Sequence, residues 1–145
     1  MPRFALIALF FTTLAAPAHA WETKSDGLCV LSHSGANADV RLTYDSSIKT
    51  YSIAITPKKP WRNAPVFAIR FEGPRSLTIS TGRHTITADG GTLAVSDSGF
   101  GNVLNGLEFN HTATALLGQQ KVSVSLDGAA PAVQEFRSCA DGVRA

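Results

Sequence analysis

The sequence predicts a mainly β protein: an antiparallel β-sandwich or flattened barrel of about seven to eight short strands, with one or two short helices toward the C-terminus. Three observations carry this. Between residues 27 and 97, apolar and polar residues alternate in short runs. Clusters of Gly, Pro, Asp and Asn interrupt the runs, as turns between strands do. Past residue 97, the apolar spacing changes from every second residue to every third or fourth.

Residues 21–26 show no apolar alternation and read as a lead-in ending in a polar turn at Ser25-Asp26-Gly27. Leu28, Val30 and Ser32 then alternate with Cys29, Leu31 and His33, which gives a strand covered in part on both faces. SGAN, residues 34–37, is a turn. Val40, Leu42 and Tyr44 form one inward face, and Tyr51, Ile53 and Ile55 form the next, so the two strands make a hairpin. Pro57, Pro60 and Pro65 exclude ladder pairing across residues 56–65, which become a loop. Phe67, Ile69 and Phe71 share the face of a further strand. Leu77 with Ile79, then His84 with Ile86 and Ala88, then Leu93 with Val95 mark three more.

Residues 97–110, DSGFGNVLNGLEFN, end this β-rich part. Phe100, Val103, Leu104 and Leu107 are expected on the core, with Gly101 and Gly106 letting the segment bend and Asn102 capping a single helical turn. Asn110 is expected to cap a short helix over residues 112–117, where Ala113, Leu116 and Leu117 follow helical spacing and Gly118 stops it. A last strand covers residues 121–127, with Val122, Val124 and Leu126 inward. Pro131 suits the first turn of a closing helix that carries Val133, Phe136 and Cys139 on one side and ends at Gly142.

Residues 1–20 read as a signal peptide. Arg3 gives a positive start, residues 4–14 an apolar stretch too short to span a bilayer, and Ala18-His19-Ala20 the small-x-small cleavage pattern. No later apolar run reaches transmembrane length, and Cys29 is too far from the cleavage point to carry a lipid anchor. Cleavage near Ala20 leaves residues 21–145 as one domain, periplasmic or secreted. Arg3 is the only charge removed with the signal, so twelve Lys and Arg then face eleven Asp and Glu. A balance this near zero gives no general attraction to nucleic acid or to an anionic membrane. Cys29 and Cys139 are the only cysteines, and an exported chain pairs them in the one way possible, as a disulfide.

No catalytic motif stands out. Gly99, Gly101 and Gly106 are spaced G-x-G-x-x-x-x-G, which is neither a dinucleotide nor a Walker loop, and no lysine accompanies them. No G-x-S-x-G elbow supports a serine hydrolase, and the acidic residues offer no distinguished pair. His33 and His84 with Asp97 are kept as an alternative site, for a small periplasmic hydrolase or metal-binding protein. None of the histidines has metal-ligand spacing, and scattered histidines more often serve as ordinary strand residues. No cofactor is expected.

The best binding candidate is the loop holding Lys58, Lys59, Trp61 and Arg62, which joins positive charge, a proline-stiffened backbone and an aromatic ring. Asn102 and Asn105 would add polar contacts. The plainer alternative is a solvated loop with Trp61 tucked against the sheet.

Several segments together carry a resemblance. They are Trp21-Glu22-Thr23, Leu28-Cys29 with His33, PVFAIRFEGP at 65–74, SGFGNVLNGL at 98–107 and AVQEFRSC at 132–139. The chain resembles small exported proteins of alphaproteobacteria that have no established activity. Some of these carry the name of an excinuclease subunit, which these residues contradict: there is no nucleotide-binding loop and no helicase motif. The early Trp and the late F-x-x-C are also similar, more loosely, to invasion-associated periplasmic proteins, with a different cysteine arrangement. The signal peptide, the single long-range cysteine pair and the absence of a catalytic motif together predict an exported, non-catalytic envelope protein that binds a protein or another envelope component.

Overall fold

The computed structural model describes residues 8–12 and 21–144. Most of the expected signal peptide lies outside the described residues; residues 8–12 form no helix or strand, and Leu9, Phe10 and Phe11 are exposed. No helix among the described residues is long and apolar enough to cross a membrane.

The elements in order are β1 (Glu22–Asp26), β2 (Leu28–Ser34), β3 (Ala38–Asp45), β4 (Thr50–Pro57), β5 (Phe67–Glu72), β6 (Leu77–Thr81), β7 (Thr85–Ile86), β8 (Leu93–Asp97), α1 (Gly101–Phe109), β9 (Thr112–Leu117), β10 (Gln120–Ser125) and α2 (Ala129–Arg144). A larger sheet has the order β1-β2-β3-β4-β8-β7 and a smaller one β10-β9-β5-β6, all pairs antiparallel. The two stack as a sandwich rather than closing into a barrel. The described residues thus hold ten strands, more than the seven or eight expected.

Alternation puts Cys29, Leu31, His33, Val40, Leu42, Tyr44, Tyr51, Ile53 and Ile55 on the inner face of the larger sheet. Two cross-strand rows mark its ends. His33, Val40, Ile55 and Leu93 are register partners at one end; Cys29, Tyr44, Tyr51 and Asp97 are partners at the other. The smaller sheet covers the first end. There Val40 and Ile55 face Phe71, Ala113, Val122 and Val124 around an apolar void of about 20 Å³. A void of that size with no polar wall stays dry. The helices cover the second end: Phe100 and Phe136 lie 5.5 and 6.3 Å from the Tyr51 ring, centroid to centroid. The Cys29–Cys139 disulfide, with Cα atoms 5.8 Å apart, joins β2 to α2 there.

Four local expectations are corrected. Residues 112–117 form β9, not a helix. This strand lies between β10 and β5, and Ala113, Thr114, Ala115 and Leu117 are buried. A short apolar run buried on both faces satisfies helical and strand spacing equally, so its periodicity does not discriminate. Gly118 does not end a helix; with φ of 57° it opens the two-residue turn that pairs Leu117 with Gln120. Asn110 is not an N-cap but stands at the C-terminal end of α1. It is buried, donates to the carbonyls of Arg75 (2.9 Å) and Gly106 (3.0 Å), and accepts from the Arg75 amide (3.0 Å). It thereby ties the β5–β6 turn to the end of α1. Asn102 does not cap α1 either, since the N-cap position is Phe100 and no side chain caps it.

Three smaller differences remain. Residues 22–26 form edge strand β1, whose polar sequence hides it; Thr23 anchors it by donating to the Ala132 carbonyl at 2.6 Å. The strand expected around His84 is only the two-residue β7. Gly142 lies inside α2 rather than ending it.

Gly106 is a packing residue. A Cβ there would stand 2.4 Å from ring carbons of Phe71, which is fully buried. Alanine favours a helix over glycine by about 1 kcal/mol, but overpacking a rigid core costs typically ~1–3 kcal/mol. Gly106→Ala should therefore lower the urea midpoint, and Phe71→Leu in the same chain should restore part of the loss. An unchanged midpoint in Gly106→Ala would refute this packing.

The disulfide spans 110 residues of sequence. Closing a loop of that order stabilises by about 4–5 kcal/mol in the chain-entropy account. A Cys29→Ser, Cys139→Ser double variant should melt well below the oxidised wild type and together with the reduced wild type. Coincident melting of variant and oxidised protein would show that the bond contributes nothing.

Candidate functional site

The sandwich has two open sides, because each sheet ends in strands that the other does not continue. On one side β10 is the edge of the smaller sheet. Side chains from the larger sheet and its loops seal it. The Trp21 indole donates to the Ser125 carbonyl at 3.0 Å, and the Asn37 amide donates to the Ser123 carbonyl at 3.0 Å. Gln120 donates to the Pro60 carbonyl at 3.0 Å and accepts from the Arg62 amide. Trp21 is itself held by stacking on His33, centroids 4.5 Å apart. An edge strand treated in this way no longer offers a continuous template for another strand.

The predicted binding loop lies on this sealed side. Trp61 is not at the surface: its ring is buried edge-on to Phe67, and its indole donates to the Ile55 carbonyl at 3.0 Å. Trp61 thus anchors the loop. Lys58, Lys59 and Arg62 stay exposed. Lys58 and Lys59 face Lys121 of β10 across a groove of about 460 Å³.

On the other side β6 is the free edge of the smaller sheet, and β8 pairs with β7 only through Leu93 and Ala94. Between them is a cleft of about 480 Å³. Ile53, Phe67, Ile69 and Phe100 floor it, β6 and residues 95–97 form its walls, and the start of α1 closes one end. Among the described residues, no backbone–backbone hydrogen bond reaches the outward edge of β6 or of residues 95–97. At the mouth Arg83 and Asp97 pair at 3.7 Å, with side chains 80% and 47% exposed, so the pair opens at little cost.

Of the two asparagines singled out by sequence, Asn102 is exposed and lines this cleft. Asn105 does not: it accepts from Arg137 at 2.8 Å, and Arg137 also pairs with Glu108 at 3.0 Å, which joins α1 to α2. His33 and His84 are not brought together. His33 is on β2, and His84 lies just before β7, four strand positions further along the larger sheet, roughly 19 Å at ordinary strand spacing. His84 instead meets Asn63 at 3.2 Å, and Asp97 meets Arg83. Among the described residues, no three His, Cys, Asp or Glu are grouped to hold a metal ion.

Asp45 and Asp89 are held below the usual carboxylate range, first by the hydroxyls of Ser47 and Thr87 and then by backbone amides. Both fix exposed turns, and neither lines the groove or the cleft. Sequence reasoning missed the cleft walls because β6 and β8 are ordinary alternating strands; only their position at unpaired edges distinguishes them. It missed Asn37, Gln120 and Lys121 because each acts through a partner distant in sequence. No family model, curated protein or solved structure matches this chain.

Proposed function

We propose that the chain is an exported, non-catalytic protein of the cell envelope that binds a partner polypeptide in the cleft between β6, β8 and α1. The partner lays an extended segment along the free edge of β6 or of residues 95–97. Its backbone continues the sheet, and its alternate side chains reach the apolar floor. The single observation that carries this is the contrast between the two sides of the sandwich. Two carbonyls of the β10 edge are taken up by the side chains of Trp21 and Asn37, whereas the β6–β8 side keeps two unpaired edges over buried apolar residues.

Export is supported by the signal pattern in residues 3–20, by the disulfide, and by the resemblance to small exported proteins. A hydrolase or metal site on His33, His84 and Asp97 draws no support from histidines set four strands apart.

Selection of displayed random peptides on the oxidised chain tests the proposal. Asn102 is exposed on the cleft lining, and Thr81 lines it half-buried on the same face of β6 as Ile79, so a large side chain at either fills the cleft mouth. Selected peptides should bind the wild type and Arg41→Ala, on the outer face, equally well. Thr81→Trp and Asn102→Trp should weaken them at least about tenfold, a loss of ~1.4 kcal/mol. Peptides that bind both tryptophan variants like the wild type would contradict the cleft, as would a selection that yields none.

A further inference from the structure

The groove on the sealed side goes beyond the cleft, since it would take a different ligand. Lys58 and Lys59 come from the proline-flanked loop and Lys121 from β10, so three ammonium groups line one concave surface with no carboxylate among the lining residues. None of the three is in an ion pair among the described residues. Their positions are built rather than incidental. Lys58 donates its amide to the Asn37 carbonyl at 3.3 Å, Asn37 holds the Ser123 carbonyl, and Gln120 holds the loop at Pro60 and Arg62. Like charges held together without a counter-charge repel one another, and an anion relieves that repulsion.

Three features decide which anion. The Ser123 carbonyl on the β10 edge is already occupied by Asn37, so an acidic peptide cannot add there as a strand. The one aromatic ring of the loop, Trp61, is buried, so the loop lacks the exposed ring with which interfacial segments insert into a bilayer. The cations are separate lysines with no arginine in the lining, which gives point charges rather than the planar forks that clasp a compact phosphate. We propose that this groove binds an acidic polysaccharide, whose carboxylates are spaced along the chain and whose hydroxyls suit the side-chain amide of Asn37. The protein would then hold a glycan on one side of the sandwich and a polypeptide on the other.

The test is calorimetric titration of the oxidised chain with oligogalacturonate, beside neutral dextran, polyglutamate and vesicles containing phosphatidylglycerol. Oligogalacturonate should bind at low salt and be lost near ~1 M salt, where the screening length falls to about 3 Å. The triple variant Lys58→Gln, Lys59→Gln, Lys121→Gln should weaken it at least about tenfold, while Lys24→Gln on β1 changes it less than about twofold. Melting curves of the triple variant confirm its fold. Asn102→Trp should leave glycan binding unchanged, so failure here and failure of the cleft are separate results. Absence of oligogalacturonate binding overturns the proposal. So does a triple variant that binds like the wild type, and so does tighter lysine-dependent binding of polyglutamate or of the vesicles.

Discussion

The inner face of the larger sheet extends past the four-stranded sheet packed on it, and that excess has to be covered. The smaller sheet reaches the end lined by Val40 and Ile55. The end lined by Cys29, Tyr44 and Tyr51 would be exposed without α1 and α2, and a tyrosine pair and a cysteine in that position need a lid. Phe100 and Phe136 provide it. The disulfide and the Arg137 link to Asn105 and Glu108 keep the two helices in place. Residues 97–110 are central for the same reason. They leave β8 at the end of the larger sheet, and they cross to the smaller sheet as α1. Gly106 then lets that helix lie directly on the Phe71 ring.

A lid at one end leaves the long sides of the sandwich to be managed separately, and they are managed differently. On the β10 side the free carbonyls of an edge strand are taken up by an indole and an amide from the larger sheet. On the β6–β8 side the backbone edges stay unpaired above apolar residues. An unpaired edge over an apolar floor is an aggregation hazard unless something covers it, and a cleft closed at one end by a helix shields part of that edge. The same division sorts the charges. The chain has a formal net charge of only +2, yet three of its lysines gather in the groove on the sealed side.

Much of the fold was legible where one face is buried and the other wet. The alternation of Val40, Leu42 and Tyr44, of Tyr51, Ile53 and Ile55, and of Phe67, Ile69 and Phe71 gives their strands and inward faces directly. The cysteine pair was legible because two cysteines permit one bond. Legibility failed where burial is complete or absent. The segment TATALL is buried on both faces, so its spacing admits a helix as readily as the strand it forms. The segment ETKSD is an edge strand with almost no apolar signal. Asn110 looked like an N-cap because its local sequence suits one, while it ends α1 and its partners at Arg75 lie across the chain. Of the candidate site, the lysine pair and Asn102 were in view, but Trp61 and Asn105 turned out to hold structure. What makes a cleft is the meeting of two strand edges, and no single stretch of sequence contains that.

The central claim is that the β6–β8 side of the sandwich accepts a strand. Isotope-filtered NMR on an equimolar complex of the oxidised chain with a selected peptide tests it most directly. The account predicts cross-strand backbone contacts between the peptide and β6 or residues 95–97, together with side-chain contacts to Ile79, Val95 and Phe100. Contacts confined to β10, or to the polar outer face of the larger sheet, would contradict it.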